Sequence, residues 1–299
     1  MLINTGTLRT LYVAFSAAFK DGMGAAPSNY ARIATYVTSS SKSNEYGWLG
    51  KFPKMREWLG DRVVNGMAAH GYAIRNKPFE LTVGVDRDDI DDDNLGIYTP
   101  LMKELGQSAG EHPDDLVFSL LKLGNSTLCY DGQFFFDTDH PVINSNGVVE
   151  SQSNWDNNGG SGTPWYLLDT SRALKPIIYQ ERKKPHFVSM TADTDENVFN
   201  RKEYIYGVDS RCNVGFGFWQ QAYGSRAVLD EASLVAGYTA MTARKGDNGR
   251  ELGFKPTLLV VPPALKFAAM KLVSATTLAN GADNVMRGLV EVLDDSRLA

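Results

Sequence analysis

The residues best equipped for chemistry are Asp137-Thr138-Asp139-His140, two carboxylates and an imidazole within four positions. Such a set could hold a divalent ion and activate a bound water, the chemistry of a metal-dependent hydrolase built on Asp137, Asp139 and His140. The competing reading, which we prefer, is structural, because His140 precedes Pro141 in a turn-rich stretch. The other histidines, His70, His112 and His186, fall at no metal-binding or catalytic spacing. Six aspartates crowd positions 86 to 93: Asp86, Asp88, Asp89, Asp91, Asp92 and Asp93. Two carboxylates about 6 Å apart in water repel by only about 0.7 kcal/mol, so an exposed cluster is tolerable, whereas a buried one needs cations or arginine partners. A calcium loop counted from Asp91 places Gly96 correctly but puts Leu95 where an oxygen ligand belongs. The cluster therefore reads as a solvated helix start or a docking point for lysine or arginine before it reads as a cation site. Arg182-Lys183-Lys184 could touch nucleic acid or pair with an acidic patch.

The familiar catalytic and nucleotide signatures are missing: there is no Gly-x-Ser-x-Gly elbow, His-Glu-x-x-His pair, Cys-x-x-Cys pair or Gly-x-Gly-x-x-Gly turn after a strand. Asn157-Asn158-Gly159-Gly160-Ser161-Gly162 lacks the lysine and hydroxyl residue of a phosphate loop and reads as a surface loop. Cys129 and Cys212 are too few for a disulfide framework or a four-thiolate zinc site and read as buried thiols.

The elements that position these residues follow from periodicity. Leu8, Leu11, Tyr12, Phe15, Ala18 and Phe19 recur at helical spacing, predicting a short amphipathic helix that ends before Gly22 and Gly24. Such a helix is marginal alone and must dock on its own domain or on a neighbour. Between β-rich Ile33–Thr38 and the alternating Leu81, Val83 and Val85 lies a long glycine-broken excursion carrying Trp48, Phe52, Met55 and Trp58, which a partner would have to cover. Thr99-Pro100 starts a long helix whose apolar stripe continues from Leu101 to Leu121, kinked or restarted at Pro113. Residues 165 to 222 predict a mostly antiparallel sheet. A second α/β portion follows, with a helix over Leu229–Lys245, a strand at Leu258–Val261, a helix over Ala264–Val273 and a last strand near Leu289–Leu293.

At 299 residues, with 43% hydrophobic and 22% charged side chains, the chain can bury a sizeable core in one large or two modest domains. Thirty basic against 35 acidic residues, a net charge of -5, argue against a surface dedicated to gripping nucleic acid, but suit the wall of a container filled with polyanion. No apolar run long enough to span a membrane and no signal-like N-terminus occurs, so the protein is expected to be made and kept in the cytoplasm.

Dispersed motifs carry a resemblance. Tyr46-Gly47-Trp48-Leu49-Gly50, Trp58 with Arg62, Lys77 to Thr82, Arg87 to Tyr98, and Tyr130-Asp131-Gly132-Gln133 with Phe135-Phe136-Asp137 and His140-Pro141 are similar to the major head subunits of Mu-like tailed bacteriophages. So are Tyr166-Leu167-Leu168-Asp169, Gln180-Glu181-Arg182, Gly217-Phe218-Trp219-Gln220 and Leu252-Gly253-Phe254-Lys255-Pro256-Thr257, in the same order. Asp137 and His140 fall inside that pattern, which weakens the hydrolase alternative.

The resemblance implies an α+β capsid fold of the Hong Kong 97 type, no enzyme activity and no cofactor. Residues 1–32 would be the N-terminal arm, 33–85 the extended loop, 86–228 mainly the peripheral domain with spine helix 97–124, and 229–299 mainly the axial domain. The implied partners are copies of the chain in hexamers and pentamers, scaffold and portal proteins, a decoration protein, and packaged double-stranded DNA held without sequence-specific contact. Candidate inter-subunit contacts are Trp48, Phe52, Trp58, Arg62, Asp91, Asp92, Asp93, Arg182, Lys183 and Lys184. The implied location is the virion capsid, after assembly in the host cytoplasm. A virion-surface binding protein is the remaining alternative.

Overall fold

The computed structural model describes residues 4–47, 49, 71–92, 95–277 and 281–299. Helix α1 (Thr5–Ala25) begins at Asn4, whose Oδ1 accepts from the Gly6 and Thr7 N–H groups at 2.9 and 3.0 Å. This cap satisfies donors that the first helical turn leaves open. Leu11, Phe15 and Phe19 form its buried stripe. The expected stop before Gly22 does not occur, and the helix runs on to Ala25. The reason is packing: a Cβ on Gly22 would lie 1.9 Å from the Lys103 carbonyl oxygen, and one on Gly106 would lie 2.0 Å from the Phe19 carbonyl oxygen. Here glycine permits two helices to touch backbone to backbone instead of ending one of them.

The partner is helix α4. Before it come α2 (Tyr30–Ile33), β1 (Ala34–Thr38), β2 (Ser43–Glu45), β3 (Ala73–Arg75), β4 (Lys77–Asp86) and α3 (Arg87–Asp91). Helix α4 spans Tyr98–Lys122 as one element with Pro113 inside it, so the stripe is not divided into two helices. Next to that proline, the fully buried Asp114 accepts from the backbone N–H groups of Asn29 (2.7 Å) and Tyr30 (2.8 Å) and from Ser28 Oγ (2.7 Å). The N-terminal segment is thus docked on its own chain, through α4 and through Tyr12, whose hydroxyl donates to the Phe187 carbonyl at 3.0 Å.

The rest of the chain supplies β5 (His140–Ile143), β6 (Val149–Gln152), β7 (Trp155–Asp156), β8 (Trp165–Leu168), β9 (Ile177–Met190), α5 (Glu196–Arg201), β10 (Glu203–Phe216) and β11 (Ala222–Ser225). It closes with α6 (Glu231–Thr242), β12 (Lys245–Gly246), β13 (Arg250–Glu251), β14 (Leu258–Val261), α7 (Lys266–Val273) and β15 (Glu291–Asp294). One sheet has the order β1-β9-β10-β4; its long β9 and β10 pair antiparallel, and β10 pairs with β4 from Glu203↔Asp86 to Cys212↔Lys77. The other has the order β15-β14-β8-β11-β7.

The single antiparallel sheet expected over 165 to 222 is therefore divided. Strands β9 and β10 form one sheet, whereas β8 and β11 join the C-terminal strands in the other. A border at 228/229 would cut this second sheet, because β8 pairs with β14 at Leu258↔Leu168. Strand alternation explains the sandwiching. Trp165, Leu167, Leu259 and Val261 face Leu234, Met241, Ala269 and Val273 of α6 and α7, while Tyr166, Leu168, Leu258 and Val260 enter the main core. Buried on both faces, β8 and β14 read as continuous apolar runs.

The ends of the long excursion are pinned together. Strands β2 and β3 pair antiparallel, Asn76 Nδ2 donates to Ser39 Oγ at 2.9 Å, and the Tyr46 hydroxyl donates to Gln180 Oε1 at 2.7 Å. Trp48, Phe52, Trp58 and Arg62 lie outside the described residues, as does Asp93.

Candidate functional site: a buried polar cluster and the assembly surfaces

The turn after α4 carries the chemistry-bearing residues. Leu128 bridges to Phe134, and Gly132 adopts a φ of +88°, a conformation that favours glycine and closes the turn beneath Cys129 and Asp131. His140, the first residue of β5, is fully buried with its ring stacked on Trp219 at 3.9 Å between centroids. Its Nδ1 lies 2.8 Å from Asp131 Oδ2, and its Nε2 lies 3.3 Å from Asn154 Oδ1. Cys129 Sγ donates to Asp131 Oδ1 at 3.0 Å.

The hydrolase trio therefore does not assemble. The Asp137 carboxylate turns back to accept from the N–H groups of Phe134 (3.2 Å) and Thr138 (2.8 Å), and Asp139 is exposed. His140 finds Asp131 and Cys129 instead, residues that the sequence spacing did not single out for it. Their motif, Cys129-Tyr130-Asp131-Gly132-Gln133, was visible, but no spacing rule connects it to a histidine nine positions beyond Asp131. Burial works against the Asp131 charge, but hydrogen bonds from His140 and Cys129 outweigh it and hold this carboxyl below its usual range. Burial first, and the Asp131 charge second, push the Cys129 thiol well above its ordinary value. A buried, protonated thiol is a poor nucleophile, so the cluster does not have the form of a cysteine-hydrolase site.

The acidic run is used locally. Asp86 caps α3 by accepting from the Asp88 N–H at 2.9 Å, Asp88 pairs with Lys202 at 3.5 Å, and Asp89 accepts from the Tyr98 hydroxyl. Among the described residues these aspartates form no group of ligands close enough to share an ion, whereas Cys129, Asp131 and His140 do. Asp91 and Asp92 face solvent. On β9, Arg182, Lys183 and Lys184 are all exposed; Lys183 pairs with Asp209, and Arg182 Nη1 reaches the Ser39 carbonyl at 3.4 Å.

Large apolar side chains also stand on the surface. Phe199 is 82% exposed, Phe267 80% and Val285 85%, with Met270 exposed one turn beyond Phe267 on α7. Helix α7 buries Ala269 and Val273, so Phe267 and Met270 make a second apolar stripe on its outer face. That doubled stripe was readable in the sequence, but periodicity alone does not say which stripe the core takes. No described helix is long and apolar enough to cross a membrane.

Two solved structures define the class. The chain matches a chain of the bacteriophage JBD30 procapsid with a TM-score of 0.88 and 54% identity, covering 99% of this chain and 100% of that one. It matches a chain of the JBD30 capsid with a TM-score of 0.79 and 39% identity over 100% of both. The molecule has the α+β capsid fold of the Hong Kong 97 type and is a structural protein, not an enzyme.

The chain belongs to the Mu-like prophage major head subunit gpT family, which it matches over residues 8–298. It is 44% identical to the major capsid protein of Escherichia phage Mu over 98% of both chains. It is 50% identical to the Mu-like prophage FluMu major head subunit of Haemophilus influenzae, over 89% of this chain and 88% of that one.

Proposed function

We propose that the chain is the repeating unit of an icosahedral phage head, associating with its own copies into hexamers and pentamers around double-stranded DNA. The observation that supports this reading best is the full-length likeness to a chain of an assembled procapsid, TM-score 0.88 at 54% identity. Many modest contacts repeated by symmetry sum to a stable closed shell, so no single strong site is required. The exposed Phe199, Phe267, Met270 and Val285 are the kind of surface that such contacts cover.

In this reading, residues 1–32 form the arm, 33–85 the extended loop, and 86–228 mainly the peripheral domain around spine helix 97–124. Residues 229–299 form mainly the axial domain, with β8 and β11 contributed to its sheet. Trp48, Phe52, Trp58, Arg62, Asp91, Asp92, Asp93, Arg182, Lys183 and Lys184 are the proposed inter-subunit contacts. Assembly takes place in the host cytoplasm with scaffold and portal proteins. A decoration protein joins the shell, a reading supported by the 40% identical chain of a JBD30 capsid decorated with minor capsid protein trimers.

Negative-stain electron microscopy of the purified chain across protein concentration and salt, with sedimentation alongside, tests the proposal. Rings, tubes or closed shells are expected. A monomer at every concentration, even after addition of lysate from phage-producing cells, would overturn it.

A further inference from the structure

We propose that Cys129, Asp131 and His140 form a binding site for a zinc ion. One ligand atom from each lies within 4.8 Å of the others. Zinc with sulfur, nitrogen and oxygen ligands sets them about 3.3 to 3.8 Å apart, so the separations need to change by at most about 1.5 Å, the Nδ1–Oδ2 pair widening from its 2.8 Å. Thiolate, imidazole and carboxylate together favour zinc over the hard cations magnesium and calcium.

The supporting shell is already in place. Asn154 cannot be turned around, because its Oδ1 accepts from the Asp137 N–H at 2.8 Å and its Nδ2 donates to the Phe135 carbonyl at 2.7 Å. Its Oδ1 therefore meets a donating Nε2–H of His140, which leaves Nδ1 as the ligand atom aimed at Asp131. That nitrogen lies 2.8 Å from Asp131 Oδ2, and the same carboxylate's Oδ1 lies 3.0 Å from Cys129 Sγ, so all three ligand groups face one another.

Metal uptake is balanced as an exchange: a zinc ion enters, the Cys129 S–H proton and any proton on His140 Nδ1 leave to solvent, and thiolate, carboxylate and neutral imidazole offset the two charges of the ion. The Asp131 side chain keeps 10% exposure while that of His140 keeps none, so its edge is where the ion enters and where water completes four-coordination. The ion would tie the turn after α4 to the start of β5.

Cobalt(II) substitution of the purified chain tests the proposal. A near-ultraviolet thiolate-to-cobalt band saturating at one ion per chain, with visible bands of tetrahedral intensity, is expected, and equimolar zinc should abolish both. Cys129→Ser and His140→Asn should lose the thiolate band or its tetrahedral companions, whereas Cys212→Ser should keep them. Folded wild-type protein with no thiolate band would overturn the site whatever the variants do, as would a band that survives Cys129→Ser or disappears in Cys212→Ser.

Discussion

At the scale of single residues, Asp114 is a carboxylate whose whole task is internal. Its oxygens take two backbone N–H groups and a serine hydroxyl in a place that excludes water. Asp114→Ala would leave those donors without partners and is expected to cost about 3 kcal/mol, read as a fall in urea midpoint at constant slope. Asp114→Asn retains an acceptor and should lose about half as much. The glycines of α1 and its partner divide the same way. Gly106→Ala would set a Cβ 2.0 Å from the Phe19 carbonyl oxygen and should destabilise by about 2 kcal/mol. Gly24 has nothing within 4 Å of an added Cβ, so Gly24→Ala should be neutral or stabilise by up to about 1 kcal/mol. Thermal unfolding of both variants separates packing from propensity; equal shifts would remove the close-approach argument.

At the scale of elements, the contact of α4 with the first sheet contains a titratable group. His112 packs edge-on to Phe79 of β4 at 4.3 Å between ring centroids, and its Nε2 is buried without a hydrogen-bond partner. Burial holds its pKa below the ordinary 6.5, with the nearby Asp115 opposing only in part. The unfolded chain thus binds this proton more readily, so stability falls as pH drops below 6.5 and levels off once pH is below the folded value. The contribution fades over about one pH unit above 6.5, where the unfolded chain also loses this proton. Unfolding midpoints measured from about pH 7 to about pH 5 should fall less in His112→Asn than in wild type; parallel curves would assign the acid sensitivity elsewhere.

At the scale of the whole molecule, the outer stripe of α7 separates folding from assembly. Phe267 and Met270 are exposed, so Phe267→Ser with Met270→Ser should leave the unfolding midpoint of the monomer within about 0.5 kcal/mol of wild type. Sedimentation should nonetheless show fewer large assemblies at equal concentration. Unchanged assembly with unchanged stability would place the subunit contacts on other surfaces.

The amino-acid sequence by itself determined the class of molecule and most of its elements. The helical stripes of α1 and α4, the apolar runs of β8 and β14 and the presence of α6 and α7, each starting two residues later than expected, are local patterns, and local patterns survive without knowledge of partners. The dispersed motifs from Tyr46 to Thr257 were enough to indicate a head subunit because their order spans the chain. Tertiary structure alone decided three matters. Gly22 became a contact instead of a stop because α4 lies against it. Strands β8 and β11 left β9 and β10 for the C-terminal strands, since alternation names the faces of a strand but not its neighbour. His140 took Asp131 and Cys129 in place of Asp137 and Asp139. The turn closed by Gly132 and the orientation fixed by Asn154 set which oxygen meets which nitrogen, and nearness along the chain does not constrain that geometry.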